Sequence, residues 1–275
     1  MAYAFPGAGT LDYAPCSYGA SRLHFRGPKC DVTEPYVACL GGTETYGKFI
    51  PVPFPELLED MIEVQVANLG CINAGPEAFL RDKEILALAG GARACVVQVT
   101  GAQNLTNRYY AVHPRRNDRF TSPSPLLRKL FRQVDFTEFS FTRHLLHVLQ
   151  RHSADRFEVL AEELRAAWVL RMQALLQALP CPTVLLWLAE GPPPAPGRRA
   201  NLSVEPMLID AEMIAAVRPL ATTYVEMIPS AAAREKGAEG MAFGPLDAPA
   251  AASLPGPAVH YELARRLTPV LQRLL

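Results

Sequence analysis

Five short runs of apolar residues, each too short to be a helix and most closed by glycine or a loop, constrain this chain most. They are Tyr36–Leu40, Ile62–Ala67, Ala94–Val99, Thr183–Ala189 and Thr223–Ile228. Continuous rather than alternating hydrophobicity over four to eight residues is the pattern of a strand buried on both faces, and such strands belong to parallel sheets covered by helices. The segments between the runs carry helical spacing. A short helix is expected at Pro55–Met61, after prolines 51 and 53, with Pro55 at its start. Another is expected over Pro76–Ala89, stopped by Gly90-Gly91. Further helices are expected near Leu126–Gln133 and Phe136–His152, over Ala154–Leu179, from a cap at Asp210 to Arg218, and over Ala258–Leu275.

Strand and helix alternate, so the expected fold is α/β: a doubly wound, flavodoxin-like parallel sheet of five strands, with a helical insertion after the third. Residues 1–34 are rich in Gly, Pro, Tyr and Ser and read as an irregular N-terminal arm. Residues 35–275 read as a single α/β domain, with 102–180 as a helical insertion or lid. Within the arm, Arg22 and Arg26 stand among apolar anchors. They serve either to dock it or to face an anion.

The 275 residues hold 27 Lys+Arg and 27 Asp+Glu, so the formal charge is zero, which removes the electrostatic case for a nucleic-acid or anionic-membrane binder. The longest apolar stretch, Thr183–Ala189, is too short to cross a bilayer as a helix, and no signal-peptide pattern opens the chain. A cytoplasmic location is expected. None of the six cysteines forms a CxxC pair, so no zinc ribbon, metal or other cofactor is expected. His144 and His147 have i, i+3 spacing but no third ligand in register, and read as a helix face. No Walker loop is present, and no GxGxxG follows a strand.

In a doubly wound sheet the ligand binds at the carboxyl ends of the strands. Gly41-Gly42-Thr43-Glu44-Thr45-Tyr46-Gly47-Lys48 follows the first run, Asn68-Leu69-Gly70 with Asn73 closes the second, and Gly101-Ala102-Gln103-Asn104 follows the third. A hydroxyl on a tight strand-to-helix turn is how a nucleophile is presented, and backbone N–H groups at glycine with an Asn amide can hold an oxyanion.

These blocks, in this order, resemble the SGNH (GDSL-type) hydrolases. On that resemblance Thr43 falls at the serine nucleophile, Gly42 at the preceding Asp, Gly70 at the second-block glycine and Asn104, one residue late, at the third-block Asn. Thr45 and Gly47 match the later Thr and Gly of the first block. The family's catalytic His position falls at Leu254, and His260 stands about six residues later, inside the last helix. The chain also resembles an uncharacterised bacterial family that shares the GGTETYGKF, NLGxxNAG and VHPRRNDRF patterns.

The implied reaction is ester hydrolysis or acyl transfer on an acylated or anionic, carbohydrate-like substrate. Thr43 would attack, His260 would act as base, and Gly70 and Asn104 would hold the oxyanion. Glu44, Thr45, Lys48, Asn68, Asn73, Arg108, His113, Arg115 and Arg116 would line the ligand. The alternative is a protein that keeps the fold without the triad and binds an anionic ligand through Arg115, Arg116 and Lys48, or a non-hydrolytic transferase. The arginines at 108, 115, 116 and 119 either face that anion or pair with Asp118, Asp135 and Glu138. The aromatic run Phe131, Phe136, Phe139 and Phe141 reads as core, with a homo-oligomer surface as the other reading.

Overall fold

A computed structural model describes residues 11–275. Seven strands run in chain order: β1 (Tyr36–Gly41), β2 (Gln65–Gly70), β3 (Ala94–Gln98), β4 (Tyr110–His113), β5 (Arg116–Pro123), β6 (Thr183–Leu188) and β7 (Thr223–Met227). The α-helices are α1 (Thr43–Tyr46), α2 (Phe54–Ile62), α3 (Pro76–Leu80), α4 (Lys83–Gly90), α5 (Pro125–Leu130), α6 (Thr142–His152), α7 (Ala154–Gln177), α8 (Ala211–Val217), α9 (Ala231–Lys236), α10 (Ala248–Ala251) and α11 (Pro257–Leu271).

The five apolar runs form one wholly parallel sheet in the order β2-β1-β3-β6-β7, while β4 and β5 make a separate antiparallel hairpin. Counting only the parallel strands, this is the 2-1-3-4-5 order of flavodoxin-like folds. Chain order reverses direction at β1, whose neighbours are β2 and β3, so the switch point lies between β1 and β3.

Every residue of β1, β3 and β6 is buried, as strands covered on both faces require. One face packs Val37, Cys39, Val96, Val184 and Leu186 against Phe54 and Leu58 of α2 and Leu263 and Leu267 of α11. The other carries Ala38, Leu40, Cys95, Val97 and Leu185 against α3, α4 and the long α7. The α7 stripe Phe157, Leu160, Leu164, Trp168 and Leu175 recurs at helical spacing and is buried, and the Trp168 indole N–H donates to the Thr100 carbonyl at 2.8 Å. The aromatic residues Phe131, Phe136 and Phe139 are buried in this core, whereas Phe141 is exposed.

The chain departs from expectation at several points. The second strand begins three residues late, because Met61 and Ile62 complete α2 and Glu63 turns left-handed at φ 56°. The Pro76–Ala89 helix is two, divided where Asp82 accepts the Ile85 N–H and starts α4. Phe136–His152 resolves into a 3-10 turn at Phe136–Glu138 and α6. The insertion is not wholly helical, since the Arg-rich run within it folds into the β4–β5 hairpin.

Residues 1–10 of the expected arm lie outside the described residues. Its remainder docks through buried Tyr18, Leu23 and Phe25. Arg26 is buried too. Its guanidinium donates to the carbonyls of Gly47 (2.8 Å), Ile50 (2.7 Å) and Pro51 (2.7 Å). Arg26 thus pins the loop after α1, with three of its five N–H donors on backbone carbonyls, while Arg22 is exposed.

Candidate functional site

The carboxyl ends of β1 and β2 lie in register, with Gly41 beside Gly70. Both positions need glycine because α1 is pressed onto them. A Cβ on Gly70 would lie 2.2 Å from the Tyr46 nitrogen, and one on Gly41 would lie 2.0 Å from the Thr45 hydroxyl oxygen. The turn is set by Gln98, at the end of β3. Its Oε1 accepts from the Gly42 N–H (3.1 Å) and the buried Thr45 hydroxyl (2.6 Å), and its Nε2 donates to Glu44 Oε2 (2.8 Å). Burial pushes the Glu44 carboxyl above the ordinary carboxylate range. The Gln98 hydrogen bond and its own backbone N–H oppose that shift, the nearby Glu205 carboxylate adds to it and Arg143 counters it. Arg143 and Glu205, whose charges both act on Glu44, form an ion pair.

Thr43 begins a polar chain that crosses from the sheet to the insertion. Its hydroxyl donates to Asn73 Oδ1 (3.2 Å) and accepts the Asn73 N–H (3.0 Å). Asn73 takes a left-handed conformation at φ 57°, which Asn tolerates, and its Nδ2 donates to Asp118 Oδ2 on β5 (3.3 Å). Asn104 Nδ2 donates to the Asn73 carbonyl (2.8 Å), and Asn104 Oδ1 accepts the Thr142 hydroxyl (2.7 Å). The hairpin is tied to the same loop, because the Gly75 N–H donates to Asn117 Oδ1 (3.2 Å).

The structure therefore brings together Thr43, Glu44, Thr45, Asn73 and Asn104, but in supporting contacts. The groups expected to hold an oxyanion are engaged within the protein: the Gly42 N–H on Gln98, the Gly70 N–H on Asn68 Oδ1 at 2.9 Å, and the Asn104 amide on Asn73. Asn68 thereby caps the end of its own strand. Lys48 places its ammonium 4.5 Å from the Phe49 ring centroid, which stacks it on the protein's own surface.

The expected Thr43–His260 pair does not form. His260 lies buried on α11, and its Nδ1 accepts the Phe54 N–H at the start of α2 (3.0 Å). Burial, with the positive charge of Arg26 second to it, lowers its pKa to about 3, and the Pro255 carbonyl works weakly against both. A neutral imidazole spent on a helix-end N–H is no base for Thr43. Its role here is to satisfy a donor that the first turn of α2 leaves without an intrahelical partner.

The arginines divide. Arg108 pairs with Glu163 of α7, and Arg119 stacks 4.2 Å from the Phe141 ring centroid, so neither takes the expected carboxylate partners. Arg115 and Arg116 stand exposed at the hairpin tip, where their N–H groups donate to His113 Nδ1 (3.3 and 3.2 Å). Among the described residues their guanidinium groups have no hydrogen-bond or ion-pair partner, and His113 serves the turn. Gln98, Asp118, Thr142, Arg143 and Glu205 were not expected at the site from sequence. Of these, Gln98 carries a usable signal, being a polar residue inside a buried apolar strand, where it needs partners.

The whole chain, residues 1–275, matches the profile of the family described as Domain of unknown function (DUF6473). The chain belongs to this DUF6473 family. No curated protein matches it. Among solved structures it is similar to a protein described as a lipolytic member of the G-D-S-L family from Desulfitobacterium hafniense DCB-2, at 13% identity and a TM-score of 0.35, covering 88% of this chain and 100% of that one. It is also similar to a protein from Lactobacillus plantarum, at 14% identity and a TM-score of 0.41, covering 87% and 97%. A third similar structure is a gut microbial diltiazem-metabolizing enzyme, at 12% identity and a TM-score of 0.42, covering 85% of this chain and 46% of that one. Among the described residues no helix is long and apolar enough to cross a membrane.

Proposed function

We propose that this protein binds a hydroxyl-rich, anionic small molecule, of the class of sugar acids or sugar phosphates, over the carboxyl ends of β1 and β3, and runs no ester hydrolysis from Thr43. One observation carries the reading. The Thr43 hydroxyl, the Gly70 N–H and the Asn104 amide, which the resemblance would use, are committed to internal hydrogen bonds, and His260, offered there as the base, is buried on Phe54. A hydroxyl without a base is a poor nucleophile.

The charged groups near Glu44 and on the hairpin support the ligand class. Glu44 and Glu205 offer acceptors for hydroxyls, while Arg143 and the free guanidinium groups of Arg115 and Arg116 offer charge for a carboxylate or phosphate. Two measurements test it. With p-nitrophenyl acetate, the wild type is expected to match buffer and the Thr43→Ala variant. Calorimetric titration with a hexuronic acid and a hexose phosphate is expected to show binding that Arg143→Ala and the Arg115→Ala/Arg116→Ala double variant weaken about tenfold, the loss of one to two charge-assisted contacts. A wild-type hydrolysis rate that disappears in Thr43→Ala would overturn the reading, as would the absence of binding to either ligand.

A further inference from the structure

The two edges of the parallel sheet are finished differently. On β2 the Cys71 N–H turns inward to the Gly41 carbonyl (3.0 Å), so Val66, Asn68 and Gly70 turn their main-chain groups outward. Side chains take two of those outward donors. The Val66 N–H donates to Glu59 Oε2 (2.7 Å) and the Gly70 N–H to Asn68 Oδ1 (2.9 Å). On β7 the Met227 carbonyl accepts the Ala189 N–H (3.3 Å), so Thr223, Val225 and Met227 face β6. Tyr224 and Glu226 therefore turn their N–H and carbonyl groups away from the sheet. Among the described residues none of these outward groups has a partner. Edge strands are usually blunted by proline, lysine or a bulge, yet Thr223–Met227 has none of these.

Both faces beside this edge carry charges of both signs. On the α8 face Glu226 accepts the Tyr224 hydroxyl (3.2 Å), and the Arg218 guanidinium lies 5.1 Å from the Tyr224 ring centroid. On the α11 face stand Glu262, Arg265 and Arg266.

We propose that β7 pairs antiparallel with β7 of a second copy of this chain, about a two-fold axis at Val225, joining two five-stranded sheets into one. That rotation sets Tyr224 of one copy opposite Glu226 of the other, so each outward N–H meets an outward carbonyl. The same rotation sets each Glu226 carboxylate beside the Tyr224 ring and Arg218 of the other copy, an opposite charge at both ends of the seam. Leu220 and Ile228, exposed before and after β7, are carried toward the opposite ends of the other strand. The formal charge of zero leaves no long-range repulsion between copies. A strand of another protein could satisfy the open backbone, but the two-fold also answers the charges. A five-residue strand is a small contact by itself, and α8 and α11 flank it on the two faces to widen the seam.

The test is sedimentation of the full chain across a dilution series, with amide exchange followed at low and high concentration. Twice the monomer mass is expected at high concentration, with exchange slowing in the peptide that holds Tyr224 and Glu226. Glu226→Pro removes an outward N–H and leaves the β6 pairing intact, so it should give a folded monomer. Glu226→Arg and Arg218→Glu should each weaken the dimer at least about tenfold, and the double variant should restore it, which damage to folding would not do. A monomer at about 100 μM overturns the proposal and leaves the edge to another protein's strand. So does a dimer that survives Glu226→Pro, one whose β7 exchange does not change with concentration, or a charge-swapped pair that stays monomeric. None of these outcomes depends on the ligand assigned to the cleft.

Discussion

Thr43 falls at the nucleophile position of the resemblance and His260 stands about six residues past its base position, and the structure places the two in opposite kinds of surroundings. Thr43 starts a run of polar side chains, Asn73, Asn104, Thr142 and Asp118, that links the sheet to the hairpin and α6. His260 lies in the seam between α2 and α11, among Phe54, Leu58, Leu263 and Leu267, with a single N–H to accept. In the polar region the groups partner one another, so one lost contact leaves others in reach. In the apolar seam a lost contact leaves a donor with nothing.

The comparison can be broken by substitution. His260→Ala carries the largest expected effect, since it opens a cavity and strands the Phe54 N–H. A loss of about 3 kcal/mol in denaturant unfolding is expected. A loss under 1 kcal/mol would show that the seam admits water.

The pH profile sharpens the contrast. His260 has a folded pKa of about 3 against an ordinary 6.5, so between those values the unfolded chain binds more protons. Stability from this group is complete above about pH 6.5 and is lost as the pH falls toward 3, by up to about 5 kcal/mol. The His260→Ala profile should be flatter in that window. Glu44 has the opposite sign. Its raised pKa makes the folded chain bind more protons, so its contribution falls as the pH rises above the ordinary carboxylate value.

Thr43→Val should cost about 1 kcal/mol, one hydroxyl shared between two atoms of Asn73, with no change in ester hydrolysis. The smallest effect belongs to Glu44→Gln, which keeps an acceptor for Gln98 and removes the partly buried charge. It should stabilise the protein by less than about 1 kcal/mol at neutral pH while weakening ligand binding. Destabilisation at neutral pH would show that the Glu44 charge is matched in the free protein.

The sheet was legible because β1, β3 and β6 are buried on both faces and, Gln98 and Thr183 apart, are apolar throughout. The second strand was displaced because Ile62 is as apolar as a strand residue, although it faces the core from α2. The hairpin was not legible. Arg116, Asp118 and Arg119 are exposed or half-exposed, so its apolar residues Val112 and Phe120 are too few to reveal the period.

At the site, Thr43, Glu44, Asn73 and Asn104 stand near glycines at strand ends, which marked them. Arg143 and Glu205 belong to α6 and to the loop after β6, and no local pattern shows that they meet. The role of His260 was hidden for a related reason. Its partner is a backbone N–H about two hundred residues away, and backbone groups leave no mark on side-chain spacing.

The place where the insertion enters has a kinetic consequence. β3 and β6 are neighbours in the sheet, yet about eighty residues separate them along the chain, and β6 must pair before β7 has a partner. Closing so long a loop costs entropy before any strand contact rewards it. The half-sheet β2-β1-β3 with α2 to α4 rests on short-range contacts and should assemble first. The other half should dock after α7 has formed and laid Trp168 against Thr100. Pulse-labelled amide exchange during refolding would then protect β1 before β7.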